Sequence, residues 1–155
     1  MAIAAGRPLG LRQEDIHLRG HAIECRIYAE DPEQNFFPCP GTITRLVHPS
    51  GPGIREDCGV YAGWTVPLEY DPLLSKLIAW GEDRPRALAR LRRALEEYEL
   101  SGIRTNLDLF RRILADAEFL AGAVDTGYLP RLLAAAPAAA APDWEPLAAA
   151  GAALA

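Results

Sequence analysis

The hydrophobic period of this chain changes once, near Asp83, from two to that of an α-helix. Before that point "HAIECRIYAEDP" (residues 21–32) alternates. Ile23, Cys25 and Ile27 leave one face of an extended strand, and Glu24, Arg26 and Tyr28 leave the other. After it, Leu88, Leu91, Leu95 and Tyr98 recur at the spacing of one apolar helix stripe. Strands first and helices second predict an α+β domain: a mostly antiparallel β-sheet followed by helices packed on one side.

Turn chemistry divides the β-rich part. "NFFPCPG" interrupts the chain with two prolines and a glycine, and "TITRLVHP" (Thr42 to Pro49) alternates again as an expected second strand. "SGPG" reads as a turn, because glycine takes positive φ freely and proline fixes its own. Short extended pieces are expected at "GIRED" and "VYAGWTVP". "LLSKLIAWG", bounded by Pro72 and Gly81, is apolar enough to be a central strand.

In the helical part, Asp83 is the expected N-cap, with Pro85 in the first turn and Gly102 as the stop. A second helix is expected from Thr105, where Thr105-x-x-Asp108 resembles a capping box, with Leu107, Phe110 and Leu114 on its apolar face. Short helices near 117–120 and 128–133 follow. Residues 1–20 have no periodic apolar face and read as a helix tail plus connector, the end of a preceding region. Residues 134–155 are Ala/Pro-rich and read as a linker. The domain proper is therefore expected over 21–133.

Composition excludes several functions. The 155 residues carry a formal charge of -5, without the basic footprint of a protein that binds nucleic acid or an anionic membrane. No apolar run reaches the length of a transmembrane helix, and "MAIAAGRPLG" lacks the basic leader of a signal peptide. Cys25, Cys39 and Cys58 are odd in number and form no C-x-x-C, which argues against both a disulfide framework and a zinc site. His17, His21 and His48 show no metal-ligand spacing, so no metal is expected, and a reducing cytoplasm is the expected location.

Each chemically suggestive residue also has a plainer reading. Lys76, the single lysine, suits a stem lying along a sheet with its ammonium in water better than a catalytic amine. "GPG" at 51–53 is not a phosphate loop, since no helix follows to present its N-terminus. The arginines of residues 84–93 alternate with glutamates and read as a solvated helix face. The plainer reading of Glu24, Arg26 and Tyr28 is a solvent-facing row with one cross-strand ion pair of little energy. Arginine is nonetheless apt for a small planar anion, because its rigid charged fork matches one.

Five stretches in unbroken order carry a resemblance: "GHAIECRIYAEDP", "FFPCPGTITRL", "GPGIRED", "VYAGWTVPLEYDPLLSKLIAWGEDR" and "SGIRTNLDLFRRIL". Together they resemble the C-terminal domain of biotin carboxylase, as found also in acetyl-, propionyl- and methylcrotonyl-CoA carboxylases. The resemblance spans residues 2 to about 133. It implies an upstream ATP-grasp region that binds Mg-ATP and bicarbonate, forms carboxyphosphate and carboxylates biotin on a carrier protein, the first half-reaction of acyl-CoA carboxylation. The implied partners are that region, the biotin carboxyl carrier, a carboxyltransferase and a second copy in a homodimer.

By position in the motifs, Arg26 matches the arginine that contacts bicarbonate and the biotin ureido oxygen. Thr126 of "VDTGYL" falls where the family places a residue against adenine. Arg55 matches a dimer-contact arginine, and Asp71 of "EYDPLL" lies in a stretch near the same interface. Two departures accompany the likeness. The metal-binding and general-base glutamates of the family belong to a segment before residue 1, so the chain is expected to be an inactive fragment that folds without binding ATP. Pro52 stands where the family often carries a bulky apolar residue in the interface turn. A non-catalytic role in assembly is the alternative that the residues leave open.

Overall fold

The apolar run ending at Gly81 becomes the middle strand of the main sheet, as its composition demands. A computed structural model describes residues 1–135. Among them, nine strands run β1 (His21–Tyr28), β2 (Glu30–Asp31), β3 (Phe37–Pro38), β4 (Gly41–Thr42), β5 (Arg45–Val47), β6 (Ile54–Cys58), β7 (Thr65–Val66), β8 (Leu73–Gly81) and β9 (Glu99–Ser101). The helices are α1 (Arg84–Glu97), α2 (Leu107–Ile113), α3 (Ala117–Ala121) and α4 (Tyr128–Ala135). β1, β8 and β6 form an antiparallel sheet in that order, and the antiparallel pairs β2–β3, β4–β7 and β5–β9 stand apart from it. This is the α+β architecture expected, with its strands antiparallel throughout.

Register assigns the two faces of the sheet. Cys25 lies opposite Leu77, Leu77 opposite Glu56, and Ile27 opposite Ser75. That face meets α1, whose Ala87, Leu88, Leu91, Ala94 and Leu95 are buried with Tyr98 just beyond it. Each fully buried leucine contributes roughly 1.5–3 kcal/mol. Gly81 lets the helix approach, since a Cβ there would lie 2.4 Å from the Ala87 nitrogen. The Ser75 and Tyr98 hydroxyls share a 2.7 Å hydrogen bond that satisfies both inside this layer. A second small core collects Ala29, Ile43, Val66 and Leu74 under the short strand pairs.

Four expectations needed correction. "TITRLVHP" is not one strand: β4 pairs with β7 and β5 with β9, and the fully buried Ile43 sits at the break between them. The first long helix does not run to Gly102 but ends at Glu97, because residues 99–101 are recruited as β9. The second helix starts at Leu107 with Asn106 at its N-cap, so the Thr105–Asp108 box does not form. Residues 1–20 hold turns and a short 3₁₀ turn at Gln13–Asp15 rather than a helix tail, and all are exposed.

Asp83 caps α1 as expected, accepting from the Arg86 amide at 2.8 Å. The arginines of α1 do more than face water. Arg90 donates to the Trp80 carbonyl, Arg93 to Ser50 and Arg92 to Leu114. The last helix extends to Ala135, two residues into the stretch expected as linker, whose remainder lies outside the described residues. The described residues divide into two compact units, Met1–Asp116 and the part from Ala117 on. In the second, Phe119 packs against Tyr128, and Arg131 bonds Glu118 and Asp125.

Candidate functional site

The face of the main sheet turned away from α1 is polar. Across it Arg26 lies opposite Lys76, and Lys76 opposite Asp57; one row along, Glu24 lies opposite Ile78, and Ile78 opposite Arg55. With strands about 4.8 Å apart and a two-residue offset along them, Arg26 and Arg55 sit roughly 12 Å from each other at the backbone on one surface. Arg55 first, and Lys76 to a smaller degree, lower the pKa of Asp57 on this surface.

Arg26 is the organised member of the row. Its Nε donates to Glu24 Oε1 at 2.8 Å. Glu24 first and Tyr28 next raise the guanidinium pKa, holding the group charged. A guanidinium has five N–H donors, so donors remain for a ligand on the exposed side. The ion pair thus lies within β1, between Glu24 and Arg26, rather than across strands as expected.

Sequence reading missed what anchors this strand. Asn106 is buried, and its side chain is turned away from its own helix. Asn106 Nδ2 donates to the Arg26 carbonyl at 3.0 Å, while its Oδ1 accepts from the Tyr28 amide at 3.0 Å. Its own amide donates to the Tyr28 carbonyl at 3.3 Å. One residue thus replaces a neighbouring strand on the outer edge of β1. Nearby, Arg104 Nη1 reaches the buried carboxylate of Asp31 at 2.8 Å. The stretches "ECRIYAED" and "GIRTN" are two halves of one joint. An asparagine after a threonine gives no periodic signal, so only the stretch's recurrence beside the first could have marked it.

The remaining expected residues fall in separate places. Arg55 is exposed on β6 and pairs with Asp57 through two bonds of 2.9 Å. Asp71 is exposed and accepts from the Leu73 amide at 2.8 Å, capping the start of β8 beside the Tyr28 end of β1. Thr126 is exposed in the turn before α4, in the second compact unit. Among the described residues, donor atoms of His48, Glu56 and Cys58 lie within 4.8 Å of one another, a grouping their spacing did not reveal. Nitrogen, oxygen and sulfur donors do not suit Mg²⁺, which takes oxygen ligands.

Comparison with known proteins decides the family. The profile of the biotin carboxylase C-terminal domain matches residues 24–131. The chain belongs to that family. The biotin carboxylase of Allochromatium vinosum is 52% identical over 131 residues, covering 84% of this chain and 29% of that protein. One of the pyruvate carboxylase subunits of Methanothermobacter thermautotrophicus is 44% identical, covering 82% of this chain and 26% of that protein. Among solved structures, the biotin carboxylase domain dimer of Hydrogenobacter thermophilus 2-oxoglutarate carboxylase, in complex with MgADP, ADP and bicarbonate, superposes with a TM-score of 0.82. It is 42% identical and covers 88% of this chain and 31% of that one. A biotin carboxylase C-terminal domain thus accounts for both the order of the motifs and the fold, and the chain spans less than a third of these relatives.

Proposed function

We propose that the chain serves as the C-terminal part of a biotin carboxylase, with Arg26 binding bicarbonate and polarising the ureido oxygen of biotin on a carrier protein. The observation that carries this reading is the joint at β1. Arg26 is exposed and charged, paired with Glu24, and its backbone is fixed by Asn106. Preorganised donors of this kind stabilise charge that develops in a transition state. Bound Mg-ATP and biotin supply phosphoryl activation and the carboxyl carrier. Their ATP-grasp site belongs to the upstream region, and the oxygen ligands Mg²⁺ needs are assigned there. In the same reading Thr126 lies against adenine, Arg55 and Asp71 belong to a homodimer contact, a carboxyltransferase completes the reaction, and the protein works in the cytoplasm. The relatives include a component of a pyruvate carboxylase, so the acceptor, acyl-CoA or otherwise, is assigned to the carboxyltransferase.

Replacing Arg26 by lysine tests the reading in a protein that includes the ATP-grasp region. Lysine keeps the charge and loses the planar fork. Loss of one such donor costs on the order of 10²–10³ in rate. Arg26→Lys is therefore expected to lower biotin-dependent carboxylation by that factor while leaving the melting temperature nearly unchanged. A near-normal rate, or a loss that follows unfolding, would return Arg26 to the role of a surface ion pair.

A further inference from the structure

His48, Glu56 and Cys58 gather on the α1-facing side of β6, away from the Arg26 surface. Glu56 and Cys58 are two residues apart on one strand and so share its inner face, while His48 follows directly on β5. The turn at 49–53 brings them together: Gly51 and Gly53 have φ of 117° and 75°, and the Ile54 amide donates to the Gly51 carbonyl at 3.1 Å. His48 Nδ1 lies 2.7 Å from Glu56 Oε2, and the Cys58 sulfur completes a group within 4.8 Å.

The carboxylate is the unusual member. The Glu56 side chain is only 7% exposed, against 50% for His48. Its Oε1 is buried and accepts no hydrogen bond of good geometry. The nearby Tyr98 hydroxyl shares a 2.7 Å hydrogen bond with Ser75 and also interacts with the Glu56 carboxylate, which after burial raises the Tyr98 pKa. A carboxylate removed from water needs a cation or full hydrogen bonding. The exposed imidazole meets one oxygen at 2.7 Å, while the buried other oxygen has no hydrogen bond of good geometry.

We propose that His48, Glu56 and Cys58 form a binding site for a divalent cation of the zinc class. Imidazole nitrogen, carboxylate oxygen and thiolate sulfur are the three zinc ligand types, and Mg²⁺ and Ca²⁺ prefer all-oxygen sets. Three protein ligands leave a fourth tetrahedral position for water, on the side where His48 opens to solvent. On binding, the Cys58 thiol gives its proton to solvent and releases the Val60 carbonyl, to which it now donates at 3.3 Å. The ion would clip the 49–53 turn at its base, a structural role independent of carboxylation.

Co²⁺ is the probe, added to the whole chain in the absence of ATP and biotin. A thiolate-to-cobalt charge-transfer band, removed by Zn²⁺ and unaffected by excess Mg²⁺, is expected. Cys39→Ser is expected to keep the band and Cys58→Ser to lose it. His48→Gln, at an exposed position, is expected to weaken Co²⁺ binding at least tenfold while melting like the native protein without metal. Zn²⁺ at about 100 times its Kd is expected to raise the melting temperature by a few degrees. Absence of the band, its survival in Cys58→Ser, or unchanged affinity in His48→Gln would overturn the site.

Discussion

Asn106 illustrates how a single residue can fix the backbone from which another side chain, the proposed ligand-binding Arg26, projects. Its three hydrogen bonds to Arg26 and Tyr28 hold the outer edge of β1, and the guanidinium of Arg26 projects from that fixed backbone. Asn106→Ala leaves the Tyr28 amide and the Arg26 carbonyl without partners, at a cost of about 1–3 kcal/mol. Chemical denaturation should therefore show a lower midpoint with an unchanged slope. Asn106→Asp keeps the acceptor for Tyr28 but sets a carboxylate oxygen against the Arg26 carbonyl, and is expected to destabilise at least as much. The sequence singles out Arg26 as a candidate because its neighbours on the strand are an acid and a phenol and because its motif resembles that of the family. It does not single out Asn106, because a side chain acting as a strand partner carries no pattern in its own segment.

Between elements, the β8–α1 layer was the most legible part of the fold. Its apolar run and its Leu88–Leu91–Leu95–Tyr98 stripe have unmistakable periods, and both are buried where those periods require. The short strands were not legible, since two- and three-residue pieces are chosen by their partners rather than by their own sequence. Gly102 shows the reason at the β9 turn. With φ of 100°, a Cβ there would lie 2.2 Å from the Thr42 carbonyl, so β4, β5 and β9 converge only on a glycine. Gly102→Ala is expected to cost more than about 1 kcal/mol, measured by the same denaturation midpoint. The sheet also leaves an alkaline signature. Burial, with a smaller effect of Glu24, pushes the Cys25 thiol up to about 12 in the folded chain, so the native state holds its proton after the unfolded chain has lost it. That contribution is complete below the unfolded thiol pKa and lost as pH rises through the window up to about 12. Cys25→Ala should flatten the alkaline fall in stability, and an identical pH slope in both proteins would refute the assignment.

At the scale of the whole molecule, every buried apolar side chain among the described residues except Tyr128 precedes residue 117. A chain ending at Asp116 is accordingly expected to melt in one cooperative transition, followed by circular dichroism; a broad, non-cooperative melt would show that the first unit lacks a self-sufficient core. The site as a whole was less legible than the fold: the order of motifs pointed to the family, while register and the joint at Asn106 required the three-dimensional arrangement. The outer edge of β1 has one more consequence. A bare strand edge is a template on which other chains can add. Here the polar groups of Arg26 and Tyr28 on that edge are already engaged by an asparagine of the same molecule. Variants that lose Asn106 are then expected to lose solubility at high concentration, because the backbone from which Arg26 projects is the same backbone that would otherwise recruit a neighbour.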